Sequence, residues 1–442
     1  PSEYGALDMI VTCGVLINLI VPLETSQALA RFWNERGEGE PRRRLAGTAW
    51  TFTLVGHAAF AIACVLLADP IARALLGDAQ FAPAVRAGAC AIAMNGVHYL
   101  LQNQFRWALR PRAYAVASVG YGLANLLLVA LFAWGLDAGL PGVLWAQAVA
   151  AAGASALSLY ALRGSFAFGI VYAELGSMLR FSLPLVPAGL AIFATFYLNR
   201  LMLNSLATLQ DVGLFGVASR LASLVTLVLV GVQSALTPLV YAHHHEPQTP
   251  ARLARLLEGF SGVALAACLL LGLFASELIT LLATPEYVAA APLLGWLAVV
   301  ALLAQMYIFA PGIAIAKKTG WQLAVTVASA AASVGLNALL IPHWGVWGAA
   351  LATLAAGAVF FGSWLALSQR LYRLPLRGAA LLTAAGLFVP LVLAGPGLDV
   401  AVDAGALRWL AKAGVLLSYL AALTALGLLQ PRRWRRGLAA AG

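Results

Sequence analysis

About thirteen long apolar segments follow one another along this 442-residue chain, and most of its basic residues fall at every second junction between them. A bilayer-spanning helix needs roughly 20 apolar residues. In lipid, only helices and closed barrels satisfy their own backbone. Barrel strands would alternate apolar and polar positions over roughly ten residues, whereas these segments are longer and uniformly apolar. With 62% hydrophobic and 10% charged residues, the chain holds too much apolar surface to fold in water. The sequence therefore predicts an all-α polytopic membrane protein.

The spans are read as 6–30, 47–68, 84–107, 113–134, 141–162, 181–205, 213–241, 258–284, 289–312, 320–341, 344–368, 378–395 and 406–430. One set of junctions carries Arg31, Arg36, Arg42, Arg43 and Arg44, then Arg106, Arg110 and Arg112, then Arg163 and Arg180. It continues with Arg252, Arg255, Lys317, Lys318, Arg370, Arg373 and Arg377, and with Arg432, Arg433, Arg435 and Arg436 in the tail. That is 21 of the 27 basic residues. The opposite side has Arg73, Arg86, Arg408 and Lys412, beside Asp69, Asp78, Glu286, Asp399 and Asp403. Short loops rich in Lys and Arg stay in the cytoplasm, so the first side is cytoplasmic and the C-terminus is inside. Counting back places Pro1 outside, and the chain begins without Met. Both observations lead to the expectation of one earlier helix, giving fourteen in all.

The net charge of +10 is spread over many junctions. It suits an anionic inner leaflet, and hence membrane lipids, rather than nucleic acid, which calls for a basic patch on one folded face. Cys13, Cys64, Cys90 and Cys268 lie in apolar spans at spacings that match no metal or redox motif. The run His243-His244-His245 reads as a solvated loop. No metal and no cofactor is expected.

Two halves look related in parallel. Arg110-Pro111-Arg112 before Ala115-Val116-Ala117-Ser118 matches Lys317-Lys318-Thr319 before Ala324-Val325-Thr326-Val327-Ala328-Ser329. Asn125 matches Asn337, Gly142-Val143 matches Gly345-Val346, and Glu3-Tyr4-Gly5 matches Asp211-Val212-Gly213, all at offsets of about 203 to 212 residues. With one earlier helix restored, this gives two six-helix lobes plus two C-terminal helices. The expected divisions are 1–165, 166–372 and 373–442. Parallel repeats of this kind are a transporter architecture in which halves rock about a midplane site.

Ionisable groups inside spans are costly and face a cavity or a partner. Several here fall on single helical faces. Glu24, Gln27 and Arg31 follow Pro22. Trp50, Thr53 and His57 form a second stripe; Asn95, His98, Gln102 and Arg106 a third; Tyr197, Arg200 and Asn204 a fourth. Arg220 and Ser223 share a face with Gly213 and Gly216. Arg31 and Arg106 also lie close enough to the boundary to snorkel, and Arg200 could pair with Asp211. Arginine outweighs acid within the spans, and guanidinium suits phosphate through forked hydrogen bonds. An anionic substrate is favoured over an organic cation.

The opening Glu3-Tyr4-Gly5-Ala6-Leu7-Asp8, with Ala28-Leu29-Ala30-Arg31-Phe32-Trp33, resembles bacterial polysaccharide flippases of the Wzx type. So do Ser182-Leu183-Pro184-Leu185-Val186-Pro187, Asn199-Arg200-Leu201-Met202-Leu203 and Gly213-Leu214-Phe215 with Ala218 to Ser223. Pro285-Glu286-Tyr287, Ala314 to Thr319, Asn337 to Pro342, and Gly345 with Gly348-Ala349-Ala350 complete the ordered set. One departure is Asn199, where many relatives have Asp before the arginine; a salt bridge within that motif is in doubt.

The resemblance implies the multidrug/oligosaccharidyl-lipid/polysaccharide exporter fold. It also implies translocation of a glycan on undecaprenyl pyrophosphate across the bacterial cytoplasmic membrane for surface polysaccharide (O-antigen or exopolysaccharide) synthesis, alongside the polymerisation machinery. Arg31, Arg200 and Arg220 are then the expected cationic contacts. Gln27, Asn95, Gln102 and Asn204 are the sugar contacts, and Glu24, His57 and His98 are candidates for ion coupling. A drug or cation antiporter on the same fold would instead need an acidic cavity. A membrane polymerase or glycosyltransferase would need a catalytic constellation, and the loops are short and carry no nucleophile triad or glycine-rich phosphate loop. The chain is not expected to be an enzyme.

Overall fold

The computed structural model describes residues 2–33, 39–108, 110–226, 246–316, 318–401 and 405–429, and every regular element among them is helical. Nine helices among the described residues are long and apolar enough to cross a membrane, or ten if the bent pair Tyr172–Ser182 and Leu185–Phe196 is one span. The His243-His244-His245 run and much of the expected 213–241 span lie outside the described residues. Two compact units are formed, Ser2–Phe193 and Ala194–Gly442.

The first unit begins with α1 (Ser2–Ile20) and α2 (Thr25–Trp33), then α3 (Glu40–Leu66), α4 (Ala68–Leu76) and α5 (Ala82–Trp107). It continues with α6 (Pro111–Ala130), α7 (Gly139–Ala161), α8 (Tyr172–Ser182) and most of α9 (Leu185–Phe196). Helix α5 packs against both α3 and α7. It can do so because its contact face is largely Ala and Gly, including the buried Ala84, Ala87, Gly88, Ala91 and Gly96; small residues let helices approach closely in a membrane. At one end a core of Leu29, Leu45, Leu101, Phe105, Phe166 and Met178 joins α2, α3, α5 and α8.

The second unit contains α10 (Leu198–Leu206), α11 (Leu209–Ala222), α12 (Thr249–Leu273), α13 (Ala275–Leu282) and α14 (Ala291–Gln305). It ends with α15 (Thr319–Leu371), α16 (Gly378–Ala401) and α17 (Ala406–Ala425). Gly272 and Gly295 bring α12 and α14 together: a Cβ on either would lie 3.1 Å from the other's Cα and against Val392 of α16. An aromatic ladder of Phe196, Phe360, Tyr307 and Trp364 lines another seam, with Phe196 and Phe360 centroids 5.6 Å apart and Tyr307 and Trp364 5.2 Å apart.

The two expected spans 320–341 and 344–368 are the limbs of α15, which turns sharply at Gly345 (φ 52°). A Cβ at Gly348 would strike the Leu340 carbonyl, so the turn requires glycine both for its left-handed backbone and for close approach. Its counterpart in the first unit, the turn from α6 to α7, passes through Asp137 (φ 49°) and Gly139 (φ 58°). Each of these turns follows a helix that carries an Asn, but the left-handed glycine of the first is Gly139 and not Gly142, the position matched to Gly345 in sequence.

Three spans read as continuous are broken. The span 6–30 divides at 21–24, where Leu23 (φ 50°) and Glu24 (φ 55°) adopt left-handed backbone that L side chains avoid. The span 181–205 becomes α8, α9 and α10; α8 and α9 bend by 47° at Pro184, where proline lacks the amide that continues a helix. The span 258–284 breaks at Phe274, between α12 and α13. Hydropathy averages across such breaks, because most of the residues at them, such as Leu23, Tyr197 and Phe274, are as apolar as their neighbours.

The C-terminal pair α16 and α17 is held at both ends by charge. Arg377 pairs with Glu258 of α12 at 2.7 Å and also donates to the carbonyls of Leu426 and Gly427. At the other end Lys412, fully buried, donates to both Glu277 oxygens at 2.8 Å and pairs with Asp399. Arg408 sits 3.9 Å from Asp399 and 4.0 Å from Glu277. Removing the ammonium strands two carboxylates among helices, at a cost of about 3–5 kcal/mol. Lys412→Met should therefore lower the thermal midpoint of the detergent-solubilised protein sharply, and adding Glu277→Gln with Asp399→Asn should recover most of the loss.

Candidate functional site

Polar side chains inside a helical bundle must find partners or open a cavity. In the first unit they do both. Helix α1 contributes Asn18, α3 contributes His57, α5 contributes Asn95, and α6 contributes Tyr121. A cavity of about 290 Å³ lies beside them, lined by Asn18, Asn95, Tyr121 and Gln147 among apolar residues such as Ile10, Gly14 and Leu144. No carboxylate lines it.

His57 is buried, with Nδ1 2.9 Å from the Thr53 carbonyl and Nε2 3.0 Å from Asn18 Oδ1. A carbonyl only accepts, so Nδ1 carries the proton, and a neutral ring leaves Nε2 an acceptor. The Asn18 amide can turn either its NH₂ or its oxygen to that nitrogen. The pair therefore accommodates the neutral ring and the imidazolium alike. Gly96 makes room for it: a Cβ there would collide with His57 Nε2 and Asn18 Oδ1.

The stripe Asn95, His98, Gln102 and Arg106 lies against α6. The Tyr121 hydroxyl donates to Asn95 Oδ1, and Asn95 Nδ2 donates to the Ala91 carbonyl at 2.8 Å. Gln102 Nε2 donates to Ser118 Oγ, and Ser118 Oγ donates to the Tyr114 carbonyl. Arg106 donates to Asn103 at 3.1 Å and stacks on Tyr114. Gln102 thus serves the α5–α6 contact. The buried His98 stacks on Tyr121 at 4.5 Å, and neither ring nitrogen has a hydrogen-bond partner.

The remaining expected residues are dispersed. Glu24 sits in the strained turn between α1 and α2, and Gln27 and Arg31 are exposed on α2. In the second unit the Arg200 guanidinium lies over the rings of Tyr197 (5.8 Å) and Phe215 (5.3 Å). Asn204 is half-buried on the same short helix. Arg220 occupies the last turn of α11 and is exposed, and most of the expected span beyond it lies outside the described residues. Asp211, considered as a partner for Arg200, accepts from the Thr208 hydroxyl at 2.6 Å in the cap of α11. Asn199 at the departing motif position is buried, and its amide donates to Thr353 Oγ1 at 2.7 Å, a neutral bond where an acid would have sought a cation.

Sequence reasoning missed Asn18, Tyr121 and Gln147, which share the cavity with Asn95. Asn18 carried a signal, sharing a face of α1 with Val11 and Gly14, but a single Asn among apolar residues does not stand out. No group of three or more His, Cys, Asp or Glu able to hold a metal occurs among the described residues. The cavity offers neutral donors and acceptors, suited to hydroxyl groups.

Residues 1–242 match the family described as polysaccharide biosynthesis protein. Among curated protein sequences none matches the chain. The fold is similar to an inward-facing multidrug resistance MATE family transporter of the MOP superfamily (19% identity, 84% of this chain and 91% of that one, TM-score 0.68). It is equally similar to the lipid II flippase MurJ in an inward closed conformation (10% identity, 99% and 98%, TM-score 0.68). A third likeness is to the Vibrio cholerae MATE transporter VcmN in its bent form (17% identity, 84% and 87%, TM-score 0.56). These likenesses give the all-helical transporter fold.

Gly96→Ala should push α3 from α5 and cost about 1–3 kcal/mol, read as a lower thermal midpoint. Gly122→Ala, where an added Cβ meets nothing within 4 Å, should leave the midpoint unchanged or raise it.

Proposed function

We propose, from the premise that this chain belongs to the polysaccharide biosynthesis protein family, that it is a flippase for a polyprenyl-pyrophosphate-linked oligosaccharide. It carries the glycan from the cytoplasmic to the outer leaflet of the bacterial cytoplasmic membrane, with its C-terminus inside. The chain is a multi-pass membrane protein with a transporter or flippase fold, and that fold is shared with a lipid II flippase. The observation that carries the reading is the chemistry of the polar cavity. Asn18, Asn95, Tyr121 and Gln147 line it without an acid, which suits a polyol and gives an organic cation no counter-charge. In the second unit Glu258 pairs with Arg377, and Glu277 and Asp399 with Lys412; the buried Asp8 of α1 is not among the residues that line the cavity.

In this cycle Arg31, Arg200 and Arg220 contact the pyrophosphate, while Gln27, Asn95, Gln102 and Asn204 contact sugar hydroxyls. Gln102 reaches sugar by releasing Ser118. An inside-negative potential assists outward movement of an anion by about 2.3 kcal/mol per charge per 100 mV. Glu24, His57 and His98 are the groups through which a proton could couple. His98 has no competing partner on its ring, and His57 is held in a site that accepts both protonation states. A role as a drug antiporter, the reading favoured by the MATE likenesses, would require cation competition.

The test is translocation of a lipid-linked oligosaccharide by the protein in liposomes. Charge-assisted hydrogen bonds contribute roughly 1.5–3 kcal/mol, so Arg31→Ala, Arg200→Ala and Arg220→Ala should each slow transport by about 10-fold or more. Organic cations should not compete. Unchanged rates in all three variants, or inhibition by organic cations, would overturn the assignment. Under an imposed proton gradient, the Glu24→Gln, His57→Asn, His98→Asn triple variant should lose any acceleration seen in the parent.

A further inference from the structure

Helix α6 is unusual for a membrane helix near the middle of a chain: none of its described residues is fully buried. Beside it runs an apolar groove of about 500 Å³, bounded by α5, α6 and α7. Small residues line both of its walls, Ala117, Gly120 and Ala124 from α6 and Ala150, Gly153 and Ala154 from α7, among larger ones such as Val116, Leu128 and Leu157. The ring of Tyr121 lines it as well, and the same residue's hydroxyl bonds Asn95 at the polar cavity.

Two observations bear on what this groove is built to take. The first is charge. Its lining begins at Phe105, Ala113 and Ala161, and these positions adjoin Arg106, Arg110, Arg112 and Arg163. Arg163 stacks on Tyr160 at 4.4 Å. Arg110, Arg112 and Arg163 form no ion pair with a carboxylate among the described residues, and all three are exposed. A mouth with this charge suits a phosphate headgroup. The second is length. From Ala113 to Leu128 the α6 wall is about 22 Å long at 1.5 Å per residue, and a helix tilt near 20° shortens its depth only slightly. One leaflet of hydrocarbon is about 15 Å deep. A phospholipid chain entering from the cytoplasmic face ends near the midplane, so the groove runs past it.

We propose that the α6–α7 groove is a binding site for the long isoprenoid tail of a phosphate-headed polyprenyl lipid, with the phosphate on the arginines at its cytoplasmic mouth. This rests on the flippase reading and adds to it a place for the part of the cargo that never leaves the membrane. The tail crosses the midplane along the groove, and Tyr121 stands between tail and polar cavity.

The test uses the full chain in phosphatidylglycerol nanodiscs with a long-chain polyprenyl phosphate carrying a photoreactive group near the far end of its tail. Labelling should fall on peptides from α6 and α7. Excess unlabelled long-chain polyprenyl phosphate should suppress it at least about tenfold, whereas geranyl phosphate should not. The double variant Gly120→Leu, Gly153→Leu narrows the groove from both walls, and a Cβ at either position meets no atom within 4 Å. Leucine is also the better helix former, so the variant should retain its thermal midpoint while labelling falls about as far. Labelling spread over other exposed helices, equal competition by geranyl phosphate, or undiminished labelling in a folded double variant would overturn the site and leave an ordinary phospholipid as occupant. The wild-type competition stands as a test even if the double variant misfolds. Glycolipid transport by wild-type liposomes alongside a failed labelling test sinks the groove alone. Groove labelling without transport sinks the flippase reading instead.

Discussion

Lipid supplies no hydrogen bonds, so a polar group carried into this bundle is costly unless it is answered from within. That constraint explains the arrangement of the first unit. His57 is answered by Thr53 and Asn18, Asn95 by Tyr121, and Gln102 by Ser118. In the second unit Asn199 is answered by Thr353, Ser333 by the Thr195 carbonyl, and Lys412 by two carboxylates. What remains beside these bonds is a small cavity with neutral walls. Three of its four polar wall residues, Asn18, Asn95 and Tyr121, are themselves members of these bonds.

The same constraint sets a price on every break in a helix, since freed backbone groups must be satisfied elsewhere. The breaks here fall at 21–24, at Pro184, at Tyr197 and at Phe274. Two of them flank residues with expected roles, Glu24 and Arg200. Broken helices near a substrate path are a feature of transporters, and the left-handed Leu23 and Glu24 cost roughly 1–3 kcal/mol each unless the surroundings hold them. A strained turn bearing a carboxylate is a place where protonation and helix geometry act on one another.

The fold class was readable because apolar length and the placement of arginine are direct physical requirements of a bilayer. The helix breaks were not readable, because Leu23, Tyr197 and Phe274 are as apolar as the helices they interrupt. The site was readable only in part. Asn95, His57 and His98 stood out as rare residues in apolar spans, but Tyr121 and Gln147 are common enough in membrane helices to pass unnoticed. Gln102 was legible as polar and not as paired, since Ser118 lies on another helix.

The central claim is that the cargo is a lipid-linked glycan. The most direct measurement is to deplete the protein in living cells and identify the lipid-linked species that accumulates, together with its leaflet. A flippase of this kind predicts a polyprenyl-pyrophosphate oligosaccharide building up on the cytoplasmic side, protected from glycan-cleaving reagents added outside intact cells. A glycolipid pool that stays unchanged, or one fully accessible from outside, would contradict it.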